Sequence, residues 1–180
     1  MPIVPDDKNW TWVIERACPE CGFDAAAVQR SEMGTLLRDN AAAWERILAE
    51  PTDILRQRSS DDRWSPLEYA CHVRDVFVLY QQRLELMLTQ DNPTYPNWDQ
   101  DETAVEQRYN EQEPTVVCTD LVAAAAELAA AFEGVSGDQW DRQGTRSDGS
   151  IFHIDSFGRY LIHDPVHHLY DVGRDLPIDH

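Results

Sequence analysis

Basic residues are scarce in this chain. Fifteen Lys and Arg stand against 33 Asp and Glu, which leaves a formal net charge of −18 over 180 residues. That much negative charge repels phosphate backbones, so nucleic acid is not an expected partner. Cysteine is scarce too. Cys18, Cys21, Cys71 and Cys118 are too few for a disulfide scaffold of this size, and a reducing, cytoplasmic setting is the expectation. The first ten residues, MPIVPDDKNW, lack the basic region and apolar run of a signal peptide. The most apolar stretch, LVAAAAELAAAF, is read as too short to span a bilayer and carries Glu127, so no membrane association is expected. Internal repeats, low-complexity linkers, a Gly-x-Ser-x-Gly motif and a phosphate-binding glycine loop are all missing. A chain of this length can bury a core of its own, which points to one domain.

What the sequence does contain is helical periodicity. Ala25 to Glu50 reads as a first long helix, rich in Ala, Leu and Glu and broken by Pro51. In WSPLEYACHVRDVFVLYQQRLELML, Ser65 is a natural N-cap, Pro66 suits the first helical position and Glu68 completes a capping box. Ala70, Val73, Phe77, Tyr80, Leu84 and Leu88 then recur at steps of three and four, the pattern of a bundle seam. Thr119 is the expected cap of a third helix running to Gly134, and the fourth spans about Ile154 to Val172. A short helix in DETAVEQRYN and a hairpin around Asp148-Gly149 are expected in the connections. The fold class is therefore all-α, a four-helix bundle with long inter-helix connections. Residues 1–180 form a single domain, with 1–24 as an N-terminal extension holding Cys18 and Cys21, and 25–175 as the bundle.

Three of the six histidines fall in HDPVHH. On a helix His163 and His167 are only about 40° apart around the axis, so their imidazoles can converge on one ion. His168 points about 100° away from His167 and does not easily join the same site. Two ligands hold a catalytic metal poorly, and His72, two turns into the second helix, is the best third. Three neutral imidazoles and an open position suit catalytic zinc, though nickel or iron accepts imidazole as well. Pro165 lies between the paired histidines, where a kink would splay them. Cys18 and Cys21, in CPECG, have spacing suited to zinc or to thiol–disulfide exchange, but no second Cys-x-x-Cys exists to complete a site.

WSPLEYACHVRDV and RSDGSIFHIDSFGRYLIHDPVHHLYDV resemble the two signature regions of the DinB/YfiT-like family, and WTWVIERACPECGFD resembles the N-terminal segment of one branch. The resemblance implies a four-helix bundle of DinB/YfiT-like type with a divalent transition metal, zinc or nickel, held by His72, His163 and His167. It also implies kinship with bacillithiol- and mycothiol-dependent transferases and with maleylpyruvate isomerase. The expected activity is transfer of a low-molecular-weight thiol to a small electrophile, with both as the partners. Arg159, four residues before His163, is the candidate for orienting an anionic substrate. Asp75 and Asp171, three residues after His72 and four after His167, are candidate carboxylate partners of the ligands. Metal-dependent hydrolysis is the alternative activity, and a non-enzymatic, metal-stabilised homodimeric bundle is the other alternative.

Overall fold

The computed structural model describes residues 9–174. The first eight residues, on which the signal-peptide reading rests, and the last six of the expected domain lie outside them. Four long helices dominate: α1 (Met33–Leu48), α3 (Pro66–Thr89), α5 (Pro114–Glu133) and α6 (Ile154–Asp171). Two short helices, α2 (Thr52–Leu55) and α4 (Gln100–Glu106), sit in the connections. α1 and α3 each pack against both α5 and α6. Leu37, Ala41, Trp44 and Leu48 on α1, and Val73, Phe77, Tyr80 and Leu84 on α3, point inward at the spacing that keeps side chains on one helical face. On α6 Phe157, Leu161 and Leu169 complete the core, each almost wholly removed from water, a burial that stabilises by about 1.5–3 kcal/mol per side chain. Gly158 lets α6 approach closely, since a Cβ there would sit 2.6 Å from Met33 Sδ and 3.0 Å from Phe132 Cε1.

α3 begins as its sequence requires. The Glu68 amide donates to Ser65 Oγ, the Ser65 amide donates to Glu68 Oε2 at 2.8 Å, and Pro66 fills the first helical position. Arg58 braces the same carboxylate, its Nε donating to Glu68 Oε2 at 2.8 Å. The expected hairpin is also present. β2 (Gln143–Arg146) runs antiparallel to β3 (Ile151–His153), with Gly149 at φ +91° in the turn, and β1 (Thr94–Tyr95) adds to β2 in parallel. This small sheet caps the bundle and carries Arg146 toward the cleft described below.

Four expectations are corrected. The first long helix starts at Met33, because residues 25–32 fold instead into two 3-10 turns, Ala25–Ala27 and Arg30–Glu32. The Arg159 guanidinium donates to the Ala26 carbonyl at 2.9 Å, a long-range tie that a sequence window does not contain. α5 starts at Pro114, five residues before the expected cap, and Thr119 donates instead to the Thr115 carbonyl inside the helix. At 20 residues and a mean hydropathy of 1.6, α5 is long and apolar enough to cross a membrane by length and composition. Its Val117, Leu121, Leu128 and Phe132 are buried, and the helix packs on α1 and α3. Finally, α6 continues through Pro165 without interruption. Asn40 Nδ2 donates to the Pro165 carbonyl at 2.9 Å, a buried tie between α1 and α6.

Candidate metal centres

Two clusters of ligand-type side chains meet on α6. Its residues 163 and 167 lie on one stripe, and residues 164 and 168 lie on the next, about 100° around the axis. The structure sorts them accordingly. His72, Asp164 and His168 present donor atoms within 4.8 Å of one another, and so do Cys18, Cys21, His163 and His167. The expected His72–His163–His167 set is thus divided. His163 and His167 stay together, with ring centroids 5.2 Å apart despite Pro165, but among the described residues His72 joins Asp164 and His168 instead. The physical reason is the facing of α6, which turns the 164/168 stripe, rather than the 163/167 stripe, toward α3.

In the first cluster the Asp164 carboxylate lies between two rings, with Oδ2 3.2 Å from His72 Nε2 and Oδ1 3.6 Å from His168 Nε2. His168 Nδ1 faces Asp171 Oδ2 at 2.9 Å. In the neutral ring that a metal ion would bind, that contact favours the tautomer whose Nε2 lone pair points into the cluster, the carboxylate–histidine arrangement common behind metal ligands. Burial opposes ionisation of Asp164, but His168 and His72 beside it hold its carboxyl well below the usual range. Burial would likewise lower His168, yet Asp164 and Asp171 push it up to about 9. His72 is packed between Trp98, stacked at 5.3 Å and 6°, and Trp64 at 5.3 Å. Its Nδ1 and the Nε2 of His168 are buried without a hydrogen-bond partner. Two imidazoles and a carboxylate, with the orphaned Nε2 of His168 facing Asp164, fit a divalent transition metal with three protein ligands and an open position.

This cluster opens through Asp164, whose side chain is 36% exposed, into a cleft of about 980 Å³. Trp10, Trp98, Tyr80, Tyr160, Arg83 and Arg146 are among its lining residues. Arg146 is committed to Asp148, to which Nη2 donates at 2.7 Å. Arg83 differs. It is 5% exposed, donates to the Pro96 carbonyl at 2.8 Å, has a buried Nε without partner and, among the described residues, pairs with no carboxylate. Arg159, expected at the substrate, does not line the cleft, being held by the Ala26 carbonyl and Asp155. Asp75, expected behind His72, is held by Arg74 and the Tyr109 hydroxyl. Asp171 does stand behind a ligand, but that ligand is His168, with His167 Nε2 farther off at 3.9 Å.

The second cluster joins the N-terminal segment to α6. Cys18 Sγ is 3.7 Å from His167 Nδ1, and Cys21 Sγ is 3.7 Å from His163 Nε2. Cys18, His163 and His167 are buried, and both cysteines are free. Cys71 and Cys118 lie elsewhere, and His153 faces Gln143 on the hairpin.

A helical bundle presenting ligand sets from two of its long helices defines a class of metal-binding bundle proteins. The sequence matches the DinB superfamily over residues 36–172, and the chain belongs to that superfamily. Its fold is similar to that of YfiT from Bacillus subtilis, described as a probable metal-dependent hydrolase with an unusual four-helix bundle topology. The likeness has a TM-score of 0.73 at 15% identity, covering 96% of this chain and 91% of that one. A mycothiol-dependent maleylpyruvate isomerase is similar with a TM-score of 0.68 at 16% identity, covering 85% of this chain and 66% of that one. No curated protein sequence matches the chain.

Proposed function

We propose that the chain is a metal-dependent enzyme in which His72, Asp164 and His168 hold the metal and a low-molecular-weight thiol is transferred to an anionic electrophile. The observation that carries the reading is the three-donor cluster opening into a roomy cleft beside a buried, unneutralised Arg83. A divalent ion held there supplies an open position at which a thiol or water loses its proton more readily. The rest falls to the protein. Arg83 pairs with a carboxylate on the substrate, because a buried cation without a counter-charge is costly and an incoming anion relieves that cost. Trp98 and Trp10 offer flat apolar walls to the substrate body. Asp171 keeps the His168 ring in register through Nδ1. In the transfer, the sulfur–carbon bond forms as the leaving group departs with its bonding pair, and the thiol proton passes to water.

The similarity to a mycothiol-dependent isomerase supports the thiol, and the similarity to a probable hydrolase supports the alternative, attack by water at the same centre. Kinetics separate them. Nickel- or zinc-loaded protein is assayed against carboxylate-bearing electrophiles with and without mycothiol and bacillithiol. Thiol-dependent turnover that disappears in His72→Ala/His168→Ala, and whose KM rises in Arg83→Leu, supports transfer. Turnover indifferent to thiol makes the chain a hydrolase. No turnover with any thiol removes the proposal.

A further inference from the structure

The reaction leaves Cys18, Cys21, His163 and His167 without a role, yet four ligand-type side chains from segments about 140 residues apart converge there with donor atoms within 4.8 Å. Their spacing has a chemical meaning. Zinc bonds of about 2.3 Å to sulfur and about 2.0–2.1 Å to nitrogen, in a tetrahedron, put adjacent sulfur and nitrogen atoms about 3.6 Å apart. The two sulfur–nitrogen pairs between this segment and α6, Cys18 with His167 and Cys21 with His163, are each 3.7 Å apart. As hydrogen bonds these contacts are weak, and a thiol buried against an imidazole gains little from them.

The chain is shaped to present both sulfurs to one point. Gly22, at φ +76°, lets its amide return to the Cys18 carbonyl at 2.9 Å, while the Cys18 amide donates to the Phe23 carbonyl at 2.9 Å. A residue with a Cβ is strained at that angle. Burial pushes the Cys21 thiol up to about 11. On the helix side, His167 turns Nδ1 to Cys18 and leaves Nε2 facing Glu20 at 3.8 Å and Asp171 at 3.9 Å. Carboxylates behind a ligating ring are what a metal-bound imidazole ordinarily has. Trp10 lies against both rings, at 5.4 Å from His163 and 5.0 Å from His167.

We propose that Cys18, Cys21, His163 and His167 form a closed, structural zinc site that clips the N-terminal segment to α6. Two thiolates and two imidazoles are a zinc donor set, and four protein ligands leave no position for a substrate. The clip also builds the cleft, because Trp10 and Glu20, flanking and within the clipped segment, line it. The site shares no ligand with the His72–Asp164–His168 centre, although both lie along one cleft.

The test uses the full chain, purified without a histidine tag, loaded with cobalt in place of zinc. The expected result is a sulfur-to-cobalt charge-transfer band in the near ultraviolet together with intense tetrahedral visible bands. The band persists in His72→Ala/His168→Ala and is lost in Cys18→Ser/Cys21→Ser, with limited proteolysis then cutting within residues 9–24 faster than in the wild type. In the unsubstituted protein, zinc protects two of the four thiols from alkylation, a readout that holds even if the cysteine variant folds poorly. A wild type lacking the charge-transfer band, a band that survives loss of both cysteines, or four thiols that react equally with and without zinc overturns the proposal. Loss of turnover in His72→Ala/His168→Ala with the band intact concerns the reaction alone.

Discussion

Replacing Asp171 by asparagine tests how the metal centre is held. Asp171 touches no atom of the proposed reaction, but its Oδ2 takes the Nδ1 edge of His168 at 2.9 Å, and its side chain is only 13% exposed. Losing such a carboxylate behind a ligand typically weakens metal binding 10–100-fold, about 1.4–2.7 kcal/mol. Asparagine keeps an acceptor oxygen and removes only the charge, so the effect should fall at the lower end, about tenfold. The assay is nickel binding against a competing chelator, performed in a Cys18→Ser/Cys21→Ser/His163→Ala background that dismantles the neighbouring donor set, so that the His72–Asp164–His168 donors report. Asp75→Asn is the comparison. The sequence spacing marks Asp75 and Asp171 alike, yet Asp75 is engaged with Arg74 at 2.8 Å and the Tyr109 hydroxyl at 2.5 Å. That variant should lose stability while keeping its nickel affinity. Unchanged affinity in Asp171→Asn, or an equal loss in Asp75→Asn, refutes the assignment of Asp171 to His168.

Glu68→Gln should lower stability at neutral pH by about 1–3 kcal/mol, since Arg58 and the Ser65 amide lose a buried carboxylate. Burial opposes its ionisation, but Arg58 and Ser65 hold the Glu68 carboxyl below its usual range. The unfolded chain therefore takes up this proton first, at about pH 4.3, so the contribution is present above that pH and lost below it. Denaturant curves of wild type and variant should converge in acid, and a constant gap would count against the pairing. Pro165→Val should raise the melting temperature, by restoring an amide to a helix that already runs through the position, without loss of metal. Metal loss in that variant would show that the proline shapes a site. Gly158→Ala should lower the melting temperature by about 3 °C, because overpacking against Met33 and Phe132 outweighs the gain in helix propensity by about 1 kcal/mol. An unchanged melting curve would mean that Met33 moves aside freely.

Signals in the sequence specify structure most plainly where that structure is local. Ser65, Pro66 and Glu68 sit in a four-residue window, and α3 starts where they indicate. The Asp148-Gly149 turn and the start of α6 at Ile154 are of the same kind. Residues 25–32 misled because their alanines favour a helix, whereas the bond from Arg159 to Ala26 comes from 133 residues away. The metal residues divide along the same line. An i, i+4 spacing places His163 beside His167, with rings 5.2 Å apart, but the same arithmetic places Asp164 beside His168. Only the packing of α6 decides which pair turns to His72. Cys18 and Cys21 carried the knuckle spacing without showing their partners on α6. Arg83 was missed although it sits between Tyr80 and Leu84 on the buried seam, a place where an arginine is itself a signal.

The two donor pairs on α6 occupy the same two turns, one residue out of step. Rotation of the helix about its axis would carry both pairs at once, pulling 164 and 168 away from His72 as it pulled 163 and 167 away from the cysteines. With Asn40 on α1 also gripping the Pro165 carbonyl between them, α6 has little freedom to turn. A molecule entering the cleft must therefore be accommodated from the opposite bank. That bank includes the segment from Asn97 to Asp101, which lays Trp98 across His72, so the shape of an incoming ligand is read against an indole rather than against the helix that carries the donors.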